Sequence, residues 1–264
     1  MAEVVWFKDC SYENKALVGG KNSSLGELYN LSARLQFRIA DGFAITTVLY
    51  DTFIEENALT EFIAAQLELV NVDDITQLDS VSASIRERIV NARLSDSHSR
   101  LLCAAYDELS RMYAADHVAV AVRSSAIAED LDNASFAGQQ DTYLNIRGHA
   151  DMLIAVKRCF ASLFNSRAIS YRKRYSIGIS QVKISVAIQK MVRSDIGSAG
   201  VAFSIDTESG YDRAIVINSA FGLGELVVSG GVKPDEFIVD KRVLEKSGGT
   251  IGECDPILMK HMLD

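Results

Sequence analysis

Between residues 47 and 113 the apolar positions recur every three or four residues. Ile85, Ile89 and Ala92 form one such set, and Leu101, Ala105 and Leu109 another. That period gathers apolar side chains on one face of a helix, so the stretch reads as mainly helical. Leu153, Val156, Phe160, Leu163 and Phe164 make a second stripe, which predicts one long helix from residue 150 to about 175 with a packed aromatic and aliphatic face. Elsewhere the period drops to two. Val118, Val120 and Val122 alternate with alanines and predict a strand that delivers Arg123 at its end. Val182, Ile184, Val186 and Ile188 predict a half-buried strand running into Gln189, Lys190 and Met191. Shorter strands are expected at residues 4–7, 42–46, 201–205 and 214–218, with Asp206-Thr207-Glu208-Ser209-Gly210 turning between the last two. Residues 236–240 and 243–245 read as a further hairpin. Helices mixed with strands, then a run of strands, predict an α+β protein of two lobes, residues 1–188 and 189–264.

Composition narrows the function. The chain has 264 residues, 48% hydrophobic and 23% charged, with a formal charge of −8. An acidic balance argues against a general nucleic-acid binder, which needs a basic surface. The local cluster Arg172-Lys173-Arg174 reads as a solvated helix end. The first ten residues, MAEVVWFKDC, lack a basic start followed by an apolar core, and no apolar run reaches membrane-spanning length. Cys10, Cys103, Cys159 and Cys254 form no C-x-x-C pair, and His98, His117, His149 and His261 show no ligand spacing. The expectation is a cytoplasmic protein without a zinc site, a membrane span or a nucleic-acid partner.

Two stretches carry candidate chemistry. In Val18-Gly19-Gly20-Lys21-Asn22-Ser23-Ser24-Leu25-Gly26-Glu27 the Ser24/Glu27 spacing suits a capping box, which starts a helix just past Lys21. A glycine pair and a lysine before a helix suit an anion seat, although Lys21 taken alone reads as an ordinary surface lysine sooner than as a ligand. The Walker A spacing is absent. Residues 123–145, RSSAIAEDLDNASFAGQQDTYLN, supply a fixed cation, a bendable backbone, and amide and hydroxyl donors. Arginine forks and inward-pointing N–H groups hold polyphosphates, whereas a lone glycine-rich turn is only a turn. Glu129 and Asp130 suit loop stabilisation, and Asp206 and Glu208 suit a turn. Asn218 has either a substrate or its neighbouring backbone to bond. Glu225, in Gly222-Leu223-Gly224-Glu225, either approaches Mg²⁺ or a ribose hydroxyl or anchors a tight loop.

The segments VGGKNSSLGEL, VAVRSSAIAEDLDNASFAGQQDTYLN, AIQKMVRSDIGSAGVAFSIDTESG and INSAFGLGELVVSGGVKPDEF resemble the N-terminal nucleotide-binding region shared by phosphoenolpyruvate synthase (pyruvate, water dikinase), pyruvate phosphate dikinase and rifampicin phosphotransferase. The similarity runs from residue 5 to about residue 241, and the DTESG turn leans toward the synthase. The resemblance implies an ATP-grasp-type module whose two lobes close on ATP with Mg²⁺. It implies phosphate contacts from Lys21 and Arg123 and a phosphate-cradling loop of Gly138, Gln139, Gln140, Asp141 and Thr142. It places Gln189 and Met191 where backbone groups meet the adenine edge. In this family the module continues to an acidic D-I-E-W-like strand and a Q-x-R strand, which these 264 residues lack, so the second lobe is expected to be incomplete. The phosphohistidine and pyruvate domains are expected on a further segment or a partner chain. Ile39-Ala40-Asp41-Gly42 stands where the family usually has prolines before the glycine. An inactive nucleotide-binding module and the antibiotic-phosphorylating relatives remain open alternatives.

Overall fold

Alternating apolar residues build the sheet of the first unit, which runs from Met1 to Met191 in a computed structural model of the chain. The structure describes residues 2–35, 37–127, 141–175, 177–178 and 182–246, and the backbone of 257–261. The strands of this unit are β1 (Val4–Trp6), β2 (Gly42–Ile45), β3 (Val120–Ala126), β4 (Thr142–Ile146) and β5 (Ile184–Lys190). They lie in the order β1-β2-β5-β3-β4, every neighbour antiparallel. β5 continues through Lys190, so residues 189–190 stay with the first unit. β3 likewise extends past Arg123 to Ala126, which places the arginine in the middle of the strand and not at its end. Ser124, Ser125 and Ala126 prolong the strand because they are small enough to be covered on both faces; all three are buried.

Seven α-helices are described in this unit: α1 (Lys15–Leu35), α2 (Thr47–Glu56), α3 (Leu59–Glu68), α4 (Ile75–Asn91), α5 (Asp96–Met112), α6 (His149–Ser162) and α7 (Ser166–Arg174). Three have side-chain caps: Asp74 accepts from Gln77 N at 3.0 Å, Ser95 from His98 N at 3.4 Å, and Asn165 from Ala168 N at 2.8 Å. The Asn165 cap corrects the single helix expected over 150–175. The apolar stripe is continuous because both helices face one core, but Asn165 stops one and starts the next. Arg172 is a second correction. It is 5% exposed, and its Nε donates to Ala168 O at 3.1 Å while its guanidinium lies 4.8 Å from the centre of the Phe164 ring. Burial lowers its pKa to about 10. Only Lys173 and Arg174 of that basic cluster are solvated.

The core gathers Phe43, Ile45, Leu49, Phe53, Val120, Val122, Phe160, Val186 and Ile188 between the sheet and the helices. Phe160 sits 5.2 Å from the Tyr50 ring centre and 5.4 Å from that of Phe53.

The second unit, Val192–Asp264, is an antiparallel meander. β6 (Ser198–Phe203), β7 (Ala214–Phe221), β8 (Asp235–Asp240) and β9 (Ile257–His261) pair in sequence order. The β6–β7 turn forms as expected: Asp206 Oδ1 accepts from Glu208 N at 3.0 Å, and Gly210 N donates to Asp206 O at 2.9 Å. The hairpin expected from residues 243–245 does not form. Those residues belong to a short helix, α9 (Lys241–Lys246), and β9 is the partner of β8. Arg242 folds back to bond Asp240 through Nε at 3.1 Å and Nη2 at 2.6 Å, which turns the chain out of the strand. Another small helix, α8 (Gly224–Val228), packs on β6 and β7. Mixed helix and antiparallel sheet make the chain α+β.

Phe160→Ala empties the centre of the first unit's core. It is expected to cost about 3–5 kcal/mol, read as a lower urea midpoint; an unchanged midpoint would contradict this packing.

Candidate functional site

The sheet of the first unit has one face of large side chains and one of small. Residues paired across a ladder share a face. Ala121 pairs with Gln189, Arg123 with Ala187, and Ser125 with Ser185; Gly42 and Ala44 extend those rows onto β2. The small face therefore reads Gly42, Ala44, Ala121, Ala187, Ser125 and Ser185, with two longer polar side chains, Arg123 and Gln189. Val120, Val122, Val186, Ile188, Phe43 and Ile45 take the other face and form the core.

Small side chains let α1 approach closely. The helix is interrupted at Gly19, whose φ of 78° and ψ of 165° suit glycine almost exclusively. A Cβ there would lie 2.4 Å from Ser125 Oγ. Just beyond this bend, Asn22 N donates to Ser125 Oγ at 3.4 Å and Asn22 Nδ2 to Ser185 Oγ at 3.0 Å, while Ser185 Oγ donates to Ile45 O at 2.7 Å. Asn22, Ser125 and Ser185 are all at or below 1% exposure, so these bonds satisfy groups that water does not reach. Lys21, between the bend and that anchor, is exposed in the first turn of the resumed helix. The helix thus restarts at the Gly19 bend and not after Lys21. Ser24 and Glu27 lie inside it, where Glu27 Oε1 accepts from Tyr12 N at 3.1 Å.

Arg123 is the exposed residue of an otherwise buried strand. Its Nη1 reaches Gln189 Oε1 at 3.5 Å, and Gln189 Nε2 donates to Ala40 O at 3.3 Å. Met191 N donates to Ala119 O at 2.8 Å, so its N–H is already engaged. Thr142 pairs with Arg123 across the β3–β4 ladder and is exposed. Asp141 is turned the other way: its carboxylate accepts from the Tyr143 hydroxyl at 2.9 Å and faces Arg86 Nη2 at 3.5 Å. Ser124 Oγ also donates to Asp141 O at 3.2 Å. The structure therefore puts Arg123, Thr142 and Gln189 on one face of the sheet, the face that α1 meets through Asn22, the residue after Lys21, and leaves the Asp141 side chain off it. Gly138, Gln139 and Gln140 lie outside the described residues, as do Glu129 and Asp130. Glu225 belongs to the second unit, in the first turn of α8. Asn218 stands in β7 opposite Glu236.

Asp41 is a functional candidate that sequence reasoning passed over. Its Oδ1 accepts from the Tyr29 hydroxyl at 2.6 Å and its Oδ2 from the Tyr113 hydroxyl. Both phenols are pushed up to about 12, Tyr29 chiefly by its bond to the carboxylate and Tyr113 chiefly by burial. Tyr113 is distant in sequence, so no local motif announces the cluster. Beside it, a cleft of about 600 Å³ is lined by Trp6, Phe7, Tyr29, Asp41, Leu101 and Met112 among others. Among the described residues, no three His, Cys, Asp or Glu side chains are placed to hold a metal ion, and no helix is long and apolar enough to cross a membrane.

A family described as pyruvate phosphate dikinase, AMP/ATP-binding domain, matches residues 15–260. Phosphoenolpyruvate synthase of Aquifex aeolicus is 45% identical over 252 residues, covering 96% of this chain and 29% of that protein. Its counterpart in Helicobacter pylori is 46% identical over 247 residues, with 94% and 30% covered. The Escherichia coli protein is 44% identical over 241 residues, with 91% and 30% covered. The chain thus spans about three-tenths of the length of these relatives.

Gly19→Ala puts a side chain into strained backbone and against Ser125. It is expected to destabilise the first unit by about 1–3 kcal/mol, measured by urea unfolding; a wild-type midpoint would contradict the close approach of α1.

Proposed function

The chain belongs to the pyruvate phosphate dikinase AMP/ATP-binding domain family, and from that premise we propose that it is the ATP-binding part of a phosphoenolpyruvate synthase. The observation that carries the reading is that Arg123, Thr142 and Gln189 share the small-residue face of one sheet, on which α1 is anchored by Asn22, the residue after Lys21. Phosphoryl transfer asks a protein mainly for positioning and charge neutralisation. The helix that resumes after Gly19 turns its positive end toward anions, and Lys21 adds a full charge there. Arg123, set rigidly in mid-strand, offers a planar fork that grips two phosphate oxygens. Thr142 contributes a hydroxyl, next to the cradle assigned to Gly138, Gln139, Gln140 and the Asp141 backbone. At the other end, Gln189 and Met191 meet the base. Because the Met191 N–H is committed to Ala119, the carbonyl of that residue is the group left to face a purine amine. The flexible thioether suits the flat ring.

The two units are read as the lobes of an ATP-grasp-type module. Mg²⁺ belongs to that chemistry; among the described residues no three His, Cys, Asp or Glu side chains form a cluster to hold it. Glu225 is the candidate for a ribose hydroxyl or the ion. In the whole enzyme, ATP, pyruvate and water would give AMP, phosphoenolpyruvate and phosphate through a phosphohistidine. The acceptor domains belong to the length of the relatives that this chain does not cover, on a further segment or a partner chain.

Titration calorimetry with ATP, with and without Mg²⁺, tests the grip. Losing the charged hydrogen bonds in Arg123→Ala is expected to weaken binding about ten- to a hundredfold, and equal affinities would overturn the assignment. The chain by itself is expected to release no AMP from ATP; AMP formation would place catalytic groups within it.

A further inference from the structure

The strand end that would meet the base is tied at several points to one neighbouring segment. Ala40 O accepts from the Gln189 side chain at 3.3 Å, and Asp41 O accepts from Lys190 N at 2.9 Å. Asp41 is in turn immobilised by two hydroxyls, Tyr29 from α1 and Tyr113 from the C-terminal end of α5. Asp41 N donates back to the Tyr113 hydroxyl oxygen at 3.4 Å. The Tyr113 ring carries the Lys190 ammonium 4.7 Å from its centre, and that ammonium donates to Met191 O at 2.9 Å. A chain of contacts thus runs from α1 and α5 through Asp41 to the Met191 carbonyl.

This arrangement has a consequence for base recognition. A carbonyl oxygen has two lone pairs, and Lys190 occupies one. With the ammonium held over Tyr113, the second lone pair keeps a fixed direction, suited to the exocyclic amine of adenine. Guanine carries an acceptor oxygen at that position and would meet the Met191 oxygen with a like partial charge. Without the hydroxyls, Asp41 loses its charge-assisted bonds, and the 40–41 segment no longer fixes Gln189 and Lys190.

We propose that Asp41, Tyr29 and Tyr113 are positioning residues that aim the Met191 carbonyl, and thereby set the preference of the site for adenine over guanine without taking part in the phosphate grip. The proposal rests on the ATP-binding reading above. It goes beyond that reading by assigning base selectivity to groups that do not touch the nucleotide.

The test uses the full chain and three calorimetric probes: ATP, GTP and inorganic tripolyphosphate. Tyr29→Phe and Tyr113→Phe each remove one hydroxyl and keep the ring, and Asp41→Asn removes the charge. Each variant is expected to bind ATP about three- to tenfold more weakly, the worth of one hydrogen bond, with a smaller ATP-to-GTP ratio and unchanged tripolyphosphate affinity. Should Asp41→Asn fail to fold, the two phenylalanine variants decide. An unaltered ATP-to-GTP ratio in both of them overturns the inference, and so does an equal loss for ATP and tripolyphosphate, which marks a purely structural role. If the unmutated chain binds no ATP, the nucleotide reading itself fails and takes this inference with it.

Discussion

Only glycine at position 19 lets α1 come near enough for Asn22 to reach Ser125 and Ser185, because a Cβ there would lie 2.4 Å from the serine hydroxyl. The approach also requires the facing strands to be nearly bare. Ala44, Ala187 and Ala121 supply that surface, and Phe7, Cys10 and Val18 seal it on the α1 side. Three buried polar groups then bond one another and so avoid the desolvation penalty of an unpaired donor. Lys21 is carried outward by this anchored turn. Its place is therefore a product of backbone geometry two residues away.

The two faces of the sheet divide the work. Bulky β-branched and aromatic residues on one side join the helices in the core that stabilises the unit. The other side holds little apolar bulk, which leaves room for Arg123 and Gln189 to stand on strands that cannot shift without disturbing that core. Asp141 is held from the core side alone: its carboxylate is bound to Tyr143 and Arg86, while its carbonyl takes the hydroxyl of Ser124, whose ladder partner is Val186. The start of β4, and with it Thr142, is fixed by that clasp.

Periodicity made the central strands and most of the helices legible, because burial on one face leaves a mark every second or every third to fourth residue. It misled where two helices share one core, as at Asn165, and where small polar residues prolong a strand, as at Ser124 and Ser125. It also misread residues 243–245, whose apolar and charged residues fit a short helix once Arg242 folds back on Asp240. Lys21 and Arg123 are singled out by motif wording, each in a run of unusual composition, and Gln189 by the family resemblance. Asn22 and Ser125 stood in the same motifs with their anchoring role hidden, because a bond between residues 103 apart has no local signature. The Asp41 cluster was hidden for the same reason. There a carboxylate held between two tyrosines fixes the 40–41 segment.

A crystal structure of the chain with a non-hydrolysable ATP analogue tests the central claim most directly. The triphosphate is expected on the small-residue face between Lys21 and Arg123, with the base amine at the Met191 carbonyl. A nucleotide lodged instead in the cleft lined by Trp6, Leu101 and Met112, with Lys21 and Arg123 turned away from it, would contradict the account.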